Sequence, residues 1–168
     1  MADGLNLAQR FRIVGRMLQV QPSADVLAAF AETCPEYGTP DVDGVSQDNV
    51  RLFVGLGAPL APPWESTWAS DARLLFQRET LDVRYWYRSA GLRAAWLHRE
   101  PDDHIGLELE FIGLLLERGM EKTAAAFARE HPRAWAARWA DAVRAHAHDA
   151  FYPQLADEAV RLLEGLSA

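Results

Sequence analysis

The hydrophobic positions of this sequence recur at helical spacing, and signals for β-strands are almost absent. Phe11, Val14 and Leu18 fall on one face of a predicted helix that begins near Leu5. Ser23 is placed to cap a second helix. No segment alternates apolar and polar residues over the length of a strand with β-branched enrichment. The first third of the chain therefore predicts α-helices.

The second half of the chain predicts further helices from its capping and breaking residues. Gly91 and Gly119 each follow an apolar-periodic segment, where glycine commonly ends a helix. The predicted helices are 81–90 after Thr80, about 104–118 after Asp102 or Asp103, 121–130, one opening at Pro132 with Trp135, Trp139 and Val143 on one face, and one opening at Pro153. The predicted fold is all-α, a helical bundle of six to eight helices in a single domain over residues 1–168.

Two segments interrupt the helical pattern. Cys34–Asp48 contains two prolines and two glycines and predicts a loop, and a short amphipathic piece, Asn49–Val54, follows it. Gly55–Trp68, with the sequence GLGAPLAPPWESTW, has too many prolines and glycines for a regular helix. Its two tryptophans predict a long, ordered Pro/Trp-rich loop whose rings anchor it to the core.

Composition narrows the class of protein. The chain has 168 residues, of which 49% are hydrophobic and 24% charged, which suits a globular core and not wholesale disorder. Its one cysteine, Cys34, allows neither an intrachain disulfide nor a four-cysteine metal site. The N-terminal residues do not resemble a secretory signal, and no apolar run is long enough to span a bilayer. We expect a cytoplasmic protein without stable membrane insertion.

Charge points to the kind of partner. The formal net charge is −7, and Lys122 is the one lysine among 17 basic residues, so a nucleic-acid partner is not expected. Between Glu100 and Glu121 there are seven carboxylates and one basic residue, Arg118. This excess is consistent either with a solvated acidic face or with a groove that attracts an arginine-bearing peptide.

Catalytic and metal-binding patterns are missing from the sequence. Ser66 lacks the G-x-S-x-G context of a hydrolase nucleophile, and Cys34 has no basic neighbour to lower its pKa. The spacings of His98 with His104 and of His146 with His148 match no common zinc motif. There is also no phosphate-binding glycine loop that would support a nucleotide hydrolase. We expect a protein that is not an enzyme.

Three segments resemble the TorD/DmsD family of redox-enzyme maturation chaperones. They are LFVG followed by APLAPPWESTW, then LLFQRETLDVRYWYRSAGL, then EPDDHIGLELEF, and they occur in the family's order and with similar spacing. The similarity runs from about Arg51 to Leu163. The E-P-D/E-D-H element before an apolar helix is its most specific part, and P-P-W-x-S-x-W comes next. The match is closer to the DmsD side than to the NarJ side.

The resemblance implies an all-α fold and a role that is not catalytic, with no cofactor of the chaperone's own. Such proteins bind the N-terminal twin-arginine signal peptide of a molybdenum-cofactor oxidoreductase, usually of the dimethyl-sulfoxide or trimethylamine-oxide reductase type. They hold the apo catalytic subunit in the cytoplasm until cofactor is inserted and the enzyme is exported by the Tat system. The alternative is a NarJ-like assembly factor that binds a mature or non-exported region of a reductase subunit.

By the same resemblance, we expect a peptide-binding site on eight residues. Asp103 would accept from a peptide arginine, His104 would hold the loop or donate to a peptide carbonyl, and Phe53 and Trp64 would cover an apolar run. Helix capping for Asp103 and His104, and core anchoring for the tryptophans, stay open as alternatives. The eight residues are Leu52, Phe53, Trp64, Ser66, Trp68, Pro101, Asp103 and His104.

The sequence departs from the family pattern before the PPW element. The segment from about residue 31 to residue 49 replaces a longer one that holds at least one more helix in other members. Asn49 and Gly57 stand where some DmsD-type members carry tryptophans. We therefore expect either a shallower, more open groove or a second protomer that covers the exposed core, which leaves a monomer and a helix-exchanged dimer as alternatives.

Overall fold

A computed structural model describes residues 5–55, 57–69, 74–93 and 101–166. Within these ranges the chain forms α-helices joined by short connections, and it has no β-strand. The helices are α1 (Leu7–Met17), α2 (Ala24–Thr33), α3 (Val42–Asn49), α4 (Ser66–Ala69), α5 (Arg78–Ser89), α6 (Ile105–Glu117), α7 (Glu121–Glu130), α8 (Pro132–His146) and α9 (Phe151–Gly165). The all-α prediction is confirmed. Two of these helices, α3 and α4, overlap segments that were predicted to be loops, and each extends one residue beyond its segment.

The helices share one hydrophobic core, and α6, α8 and α9 supply most of its largest fully buried side chains. Trp135, Trp139 and Val143 on α8 are all buried, as their spacing predicts. Helix α7 has the predicted bounds, and Pro132 occupies the first turn of α8. Each helix in the described part of the chain is too short or too polar to cross a lipid bilayer.

The loop prediction for Cys34–Asp48 is wrong over its second half. A short 3₁₀ turn, Pro35–Tyr37, leads to α3, whose first turn is capped when the Asp41 side chain accepts from the Gly44 N–H at 2.8 Å. Tertiary contacts then stabilise the end of this helix. The buried Asp48 carboxylate accepts from the backbone N–H groups of His148 and Asp149 at 2.9 and 2.8 Å, ahead of α9. The composition of this segment favours a loop, but these hydrogen bonds to residues distant in sequence stabilise a helix instead.

Helix α3 continues into a wide helical turn, Val50–Val54, of the π type. The turn ends at Gly55, whose φ of 73° suits glycine. It buries Leu52 and Phe53, and the Phe53 ring meets the Tyr152 ring edge-on at 4.9 Å. The predicted amphipathic piece is therefore present, and its apolar face points into the bundle.

Three predictions about helix starts or caps differ from the structure, and a tertiary contact explains the first. Thr80 is not an N-cap, because α5 begins at Arg78 and the Thr80 hydroxyl is buried in a hydrogen bond to Asp103. His104, and not Asp102 or Asp103, caps α6. Helix α9 begins two residues before Pro153. Gly91 and Gly119 do follow helix ends with φ near 70°, as predicted.

Helices α1 and α6 approach each other backbone to backbone through glycines. A Cβ placed on Gly15 would lie 2.5 Å from the Gly106 carbonyl oxygen, and a Cβ on Gly106 would lie 2.5 Å from the Gly15 carbonyl oxygen. About two turns further along the pair, a Cβ on Gly113 would lie 2.8 Å from the Ala8 carbonyl oxygen. Only glycine permits this separation, so these positions fix α1 onto α6.

We expect Gly15→Ala to lower the free energy of unfolding by about 1–3 kcal/mol, the usual cost of forcing atoms into a well-packed contact. The added methyl group would collide with backbone, which cannot move aside as a flexible side chain can. Chemical denaturation measures the change. Gly165→Ala is the matched control, because no heavy atom lies within 4 Å of a Cβ there. Equal stabilities for the two variants would contradict the close contact.

Candidate functional site

A groove of about 650 Å³ opens where α1 ends and α6 begins. The end of α1 and the residues after it form one side, and the Val50–Val54 turn and the Pro/Trp loop form the other. The walls are mainly apolar, with a few polar groups among them. The lining residues are Leu18, Val20, Phe53, Val54, Pro63, Trp64 and Leu107, together with the polar Arg16, Gln19, Gln21, Asn49 and His104.

The Pro/Trp loop reaches the groove because it is attached to the segment that opens α6. The Glu65 N–H donates to the Asp103 carbonyl at 2.9 Å, and the Ile105 N–H donates to the Pro63 carbonyl at 2.8 Å. These two bonds form an antiparallel bridge that places Trp64 beside His104, with ring centroids 6.0 Å apart. The two most specific sequence motifs therefore meet in space, side by side on one wall of the groove.

Trp68 anchors the loop from behind the groove. Its indole N–H donates to the Pro62 carbonyl at 2.8 Å, so the ring closes the loop on itself. The adjacent Ser66 and Thr67 are buried, and the Thr67 hydroxyl donates to the Trp64 carbonyl at 2.7 Å. The loop is thus ordered by its own side chains, as its Pro/Trp composition predicts.

Asp103 holds this loop in place. It is fully buried, and its two carboxylate oxygens accept from the Ser66 N–H at 2.8 Å and from the Thr80 hydroxyl at 2.7 Å. An incoming guanidinium would need both oxygens for a two-pronged contact. The expectation that Asp103 accepts directly from a peptide arginine therefore does not fit the geometry. Both of its oxygens are buried and already accept hydrogen bonds from within the protein. Its position joins the loop, α5 and the start of α6.

Asp102 beside it is also buried and internally paired. Its carboxylate bonds to the Arg84 guanidinium of α5, and its backbone carbonyl accepts from the Tyr87 hydroxyl at 2.9 Å. Pro101 is buried with it. The acidic start of α6 is therefore an internal junction, and the surplus of carboxylates there is not a solvated face.

His104 is the polar side chain that the α6 junction presents to the groove. Its Nδ1 accepts from the Gly106 N–H at 3.0 Å, and this hydrogen bond caps α6. Because Nδ1 is the acceptor, the neutral ring carries its proton on Nε2. Burial lowers the pKa of His104 to about 4, so the ring is neutral at physiological pH. The capping alternative is thus confirmed for His104, and its other nitrogen is a neutral donor.

The eight predicted residues divide into a lining group and a supporting group. Phe53, Trp64 and His104 line the groove. The other five lie behind its wall or within the loop: Leu52, Ser66, Trp68, Pro101 and Asp103. Sequence reasoning missed the whole opposite side, residues 16 and 18–21, together with Val54, Pro63 and Leu107, whereas Asn49 was expected at the groove only as the replacement of a tryptophan. The side at 16–21 carries no motif, since it reaches the groove through the packing of α1 on α6.

The groove lining carries one charged group, the exposed Arg16, among the described residues. A carboxylate reaches its margin through Gln19, whose amide donates to Gly15 and to Glu110 Oε2 at 3.0 and 2.9 Å. Glu110 lines a neighbouring hollow of about 410 Å³ that also includes Arg16. In the described ranges no His, Cys, Asp and Glu side chains are grouped so as to hold a metal ion. Glu100 and His98 lie outside those ranges.

The fold and groove together define an all-α protein with a preformed, mainly apolar cleft. The family described as nitrate reductase delta subunit matches residues 19–146. This chain belongs to that family. The match covers the groove lining from Gln19 onward, both sequence motifs and helices α2 to α8.

Curated relatives confirm the resemblance to TorD/DmsD proteins and favour its DmsD side. The chain is 32% identical over 127 residues to the Tat proofreading chaperone DmsD of Salmonella typhi, which covers 76% of this chain and 62% of that protein. It is 31% identical over 72 residues to the chaperone protein TorD of Aliivibrio fischeri, with coverage of 43% and 34%. The chain therefore spans less than two thirds of the length of these relatives.

A solved structure matches the fold over nearly its whole extent. A protein of Archaeoglobus fulgidus, provisionally named a redox enzyme maturation protein, superposes with a TM-score of 0.70 and 20% identity. The match covers 98% of this chain and 97% of that one. The same arrangement of helices therefore exists in another chain, over nearly the full extent of both.

We expect His104→Asn to flatten the acid side of the stability profile. The folded pKa of about 4 lies below the ordinary 6.5, so the unfolded chain binds more protons between these values. Stability is therefore full above pH 6.5 and declines as pH falls towards 4, by roughly 3 kcal/mol at most. Asparagine keeps the capping acceptor and does not titrate.

Thermal unfolding between pH 7 and pH 4 checks this, with the exposed His146→Asn as the control that keeps the wild-type profile. An unchanged profile in His104→Asn would show that another group carries the acid sensitivity.

We expect Asp103→Asn to reduce the free energy of unfolding by about 2–3 kcal/mol, since an amide cannot accept from both present donors and one is left buried and unpaired. Thr80→Val, which removes the hydroxyl donor of the same bond, should cost less. Denaturation of both single variants and the double variant measures their coupling. Strictly additive effects would contradict a shared bond.

Proposed function

We propose that this protein is a maturation chaperone that binds the twin-arginine signal peptide of a molybdenum-cofactor oxidoreductase. It would hold the apo catalytic subunit in the cytoplasm until cofactor insertion and Tat export. The DmsD relative is named for Tat proofreading, which supports the leader over a mature region of a reductase subunit as the ligand. Chaperone names among the relatives also support a role that is not enzymatic.

The observation that carries the proposal is the apolar groove at the junction of the two motifs. A signal peptide presents an apolar run, and Phe53, Val54, Trp64 and Leu107 offer it matching walls. The neutral His104 ring offers an N–H to a peptide carbonyl without the cost of burying a charge. Leu52, Ser66, Trp68, Pro101 and Asp103 support this surface from behind.

The arginine pair of the peptide needs a carboxylate that is accessible, which Asp103 is not. Glu110 is half-buried at the groove margin and contacts the lining through Gln19. We therefore place the arginine pair at this rim and the apolar run in the groove. Charge-assisted contacts there would add specificity to the apolar contact.

We expect Val54→Asp to weaken binding of a twin-arginine peptide by at least about tenfold, because binding would bury an unpaired carboxylate against an apolar run. Val54 is exposed and lines the groove, so the substitution spares the core. Val50→Asp is the matched control, since Val50 lies on the same turn, is exposed and is not a lining residue. Isothermal titration measures both.

Two results would count against the proposal. One is equal affinity for peptides in which lysine or alanine replaces both arginines. The other is an equal loss of affinity in Val54→Asp and Val50→Asp. The oligomeric state stays a prediction, and sedimentation at micromolar concentration distinguishes a monomer from a helix-exchanged dimer.

A further inference from the structure

A second group of acidic side chains lies behind the loop that carries Trp64, and the groove does not include it. Glu65 follows Trp64 and turns inward, where its Oε2 lies 2.9 Å from Nδ1 of His131 at the α7–α8 junction. Their side chains are only 9% and 8% exposed. This contact connects the loop to the far side of the bundle.

Glu108, in the first turn of α6, completes this group from a third element. It is fully buried, and neither of its carboxyl oxygens makes a well-formed hydrogen bond. The Glu65 carboxyl and the Trp135 indole of α8 nevertheless lie within interaction range of it. The Trp135 indole N–H is likewise buried without a well-formed bond. Such groups are rare in folded proteins and call for a physical explanation.

The charges around Glu108 determine its protonation. Asp103 faces it from the segment before α6, and Tyr87 faces it from α5. Asp102, also near Tyr87, is neutralised by Arg84, and His131 donates to Glu65 and not to Glu108. No cation is therefore paired with Glu108 among the described residues. Burial and the neighbouring carboxylates raise the pKa of Glu108 well above its ordinary value.

We propose that Glu108 is a positioning residue whose protonated carboxyl donates to Glu65, so that Glu108, Glu65 and His131 together lock the Trp64 loop against α6 and α8. One proton between two buried carboxyls avoids the cost of two adjacent charges. The lock acts on the groove wall because Glu65 is the immediate neighbour of Trp64. Its effect on peptide binding rests on the proposed function, but the lock itself does not.

The direction of the pH dependence follows from the raised pKa of Glu108. A group whose pKa is higher in the folded state stabilises that state at low pH. It loses this contribution as pH rises through the folded pKa. Loss of the proton leaves two buried carboxylates facing each other, and the loop can relieve the repulsion by opening. We therefore expect the loop, and with it the groove wall, to loosen on the alkaline side.

Hydrogen exchange at the Glu65 and Ser66 amides tests the lock without any peptide, since both amides bond to Asp103. In the wild type, their protection factors should fall by up to about tenfold per pH unit above the point where Glu108 loses its proton, as linkage to one proton requires. Glu108→Gln keeps a donor and cannot titrate, so its protection factors should stay level. Glu117→Gln, on the exposed end of α6, should behave as the wild type.

Infrared spectroscopy provides the second measurement. Below the pH at which the protection factors begin to fall, the wild type should show the carbonyl band of a protonated carboxylic acid, and Glu108→Gln should lack it. Parallel pH profiles for wild type and Glu108→Gln, or the same band in both, would overturn the proposal. If peptide affinity decreases as pH rises in the wild type but stays constant in Glu108→Gln, the lock also affects peptide binding. If no peptide binds to any form, the proposed function fails while the exchange and infrared results still decide the lock.

Discussion

The structure of the groove depends on one buried carboxylate, that of Asp103. It accepts from the backbone of the Pro/Trp loop at Ser66 and from the hydroxyl of Thr80 on α5, and it lies one residue before the α6 cap. Three segments that are distant in sequence therefore meet at two oxygen atoms. A buried charge is tolerated when each oxygen has a donor, and that condition fixes the relative positions of all three segments. Together with the backbone bridge between the loop and the start of α6, it places Trp64 and His104 side by side in one wall.

The opposite wall depends on the absence of side chains. Gly15 and Gly106 let α1 lie directly on the first turn of α6, and residues 16–21 then extend across the opening of the groove. The two walls thus converge on the same turn of α6 by different physical means. Charge and hydrogen bonding hold one side, and close backbone packing holds the other. The cleft is therefore preformed, which reduces the entropy lost when a ligand binds.

Local signals in the sequence predicted those helices that have a strong hydrophobic periodicity or clear capping and helix-breaking residues. Helix α7, the start of α8 and the buried stripe of Trp135 and Trp139 follow from spacing and from Pro132 alone. Helix α3 did not follow, because it depends on bonds from Asp48 to backbone groups a hundred residues away. The sequence motifs likewise predicted only the wall of the groove that contains them, and not the opposite wall, which depends on tertiary contacts. The segment at 16–21 acquires its place through tertiary packing, which leaves no local pattern.

The acidic excess around α6 has a different meaning in the structure from either meaning that the sequence allowed. Asp102 is paired with Arg84, Asp103 is bonded to the loop, Glu108 is buried, Glu110 accepts from Gln19, and Glu117 pairs with Arg12. Most of these carboxylates thus act inside the fold, as connections between helices and the loop. A net charge of −7 consequently overstates the negative charge that a cationic ligand meets at the groove. Under the proposed function, specificity for arginine would have to come from a carboxylate at the rim such as Glu110, whose geometry would matter more than the total charge of the chain.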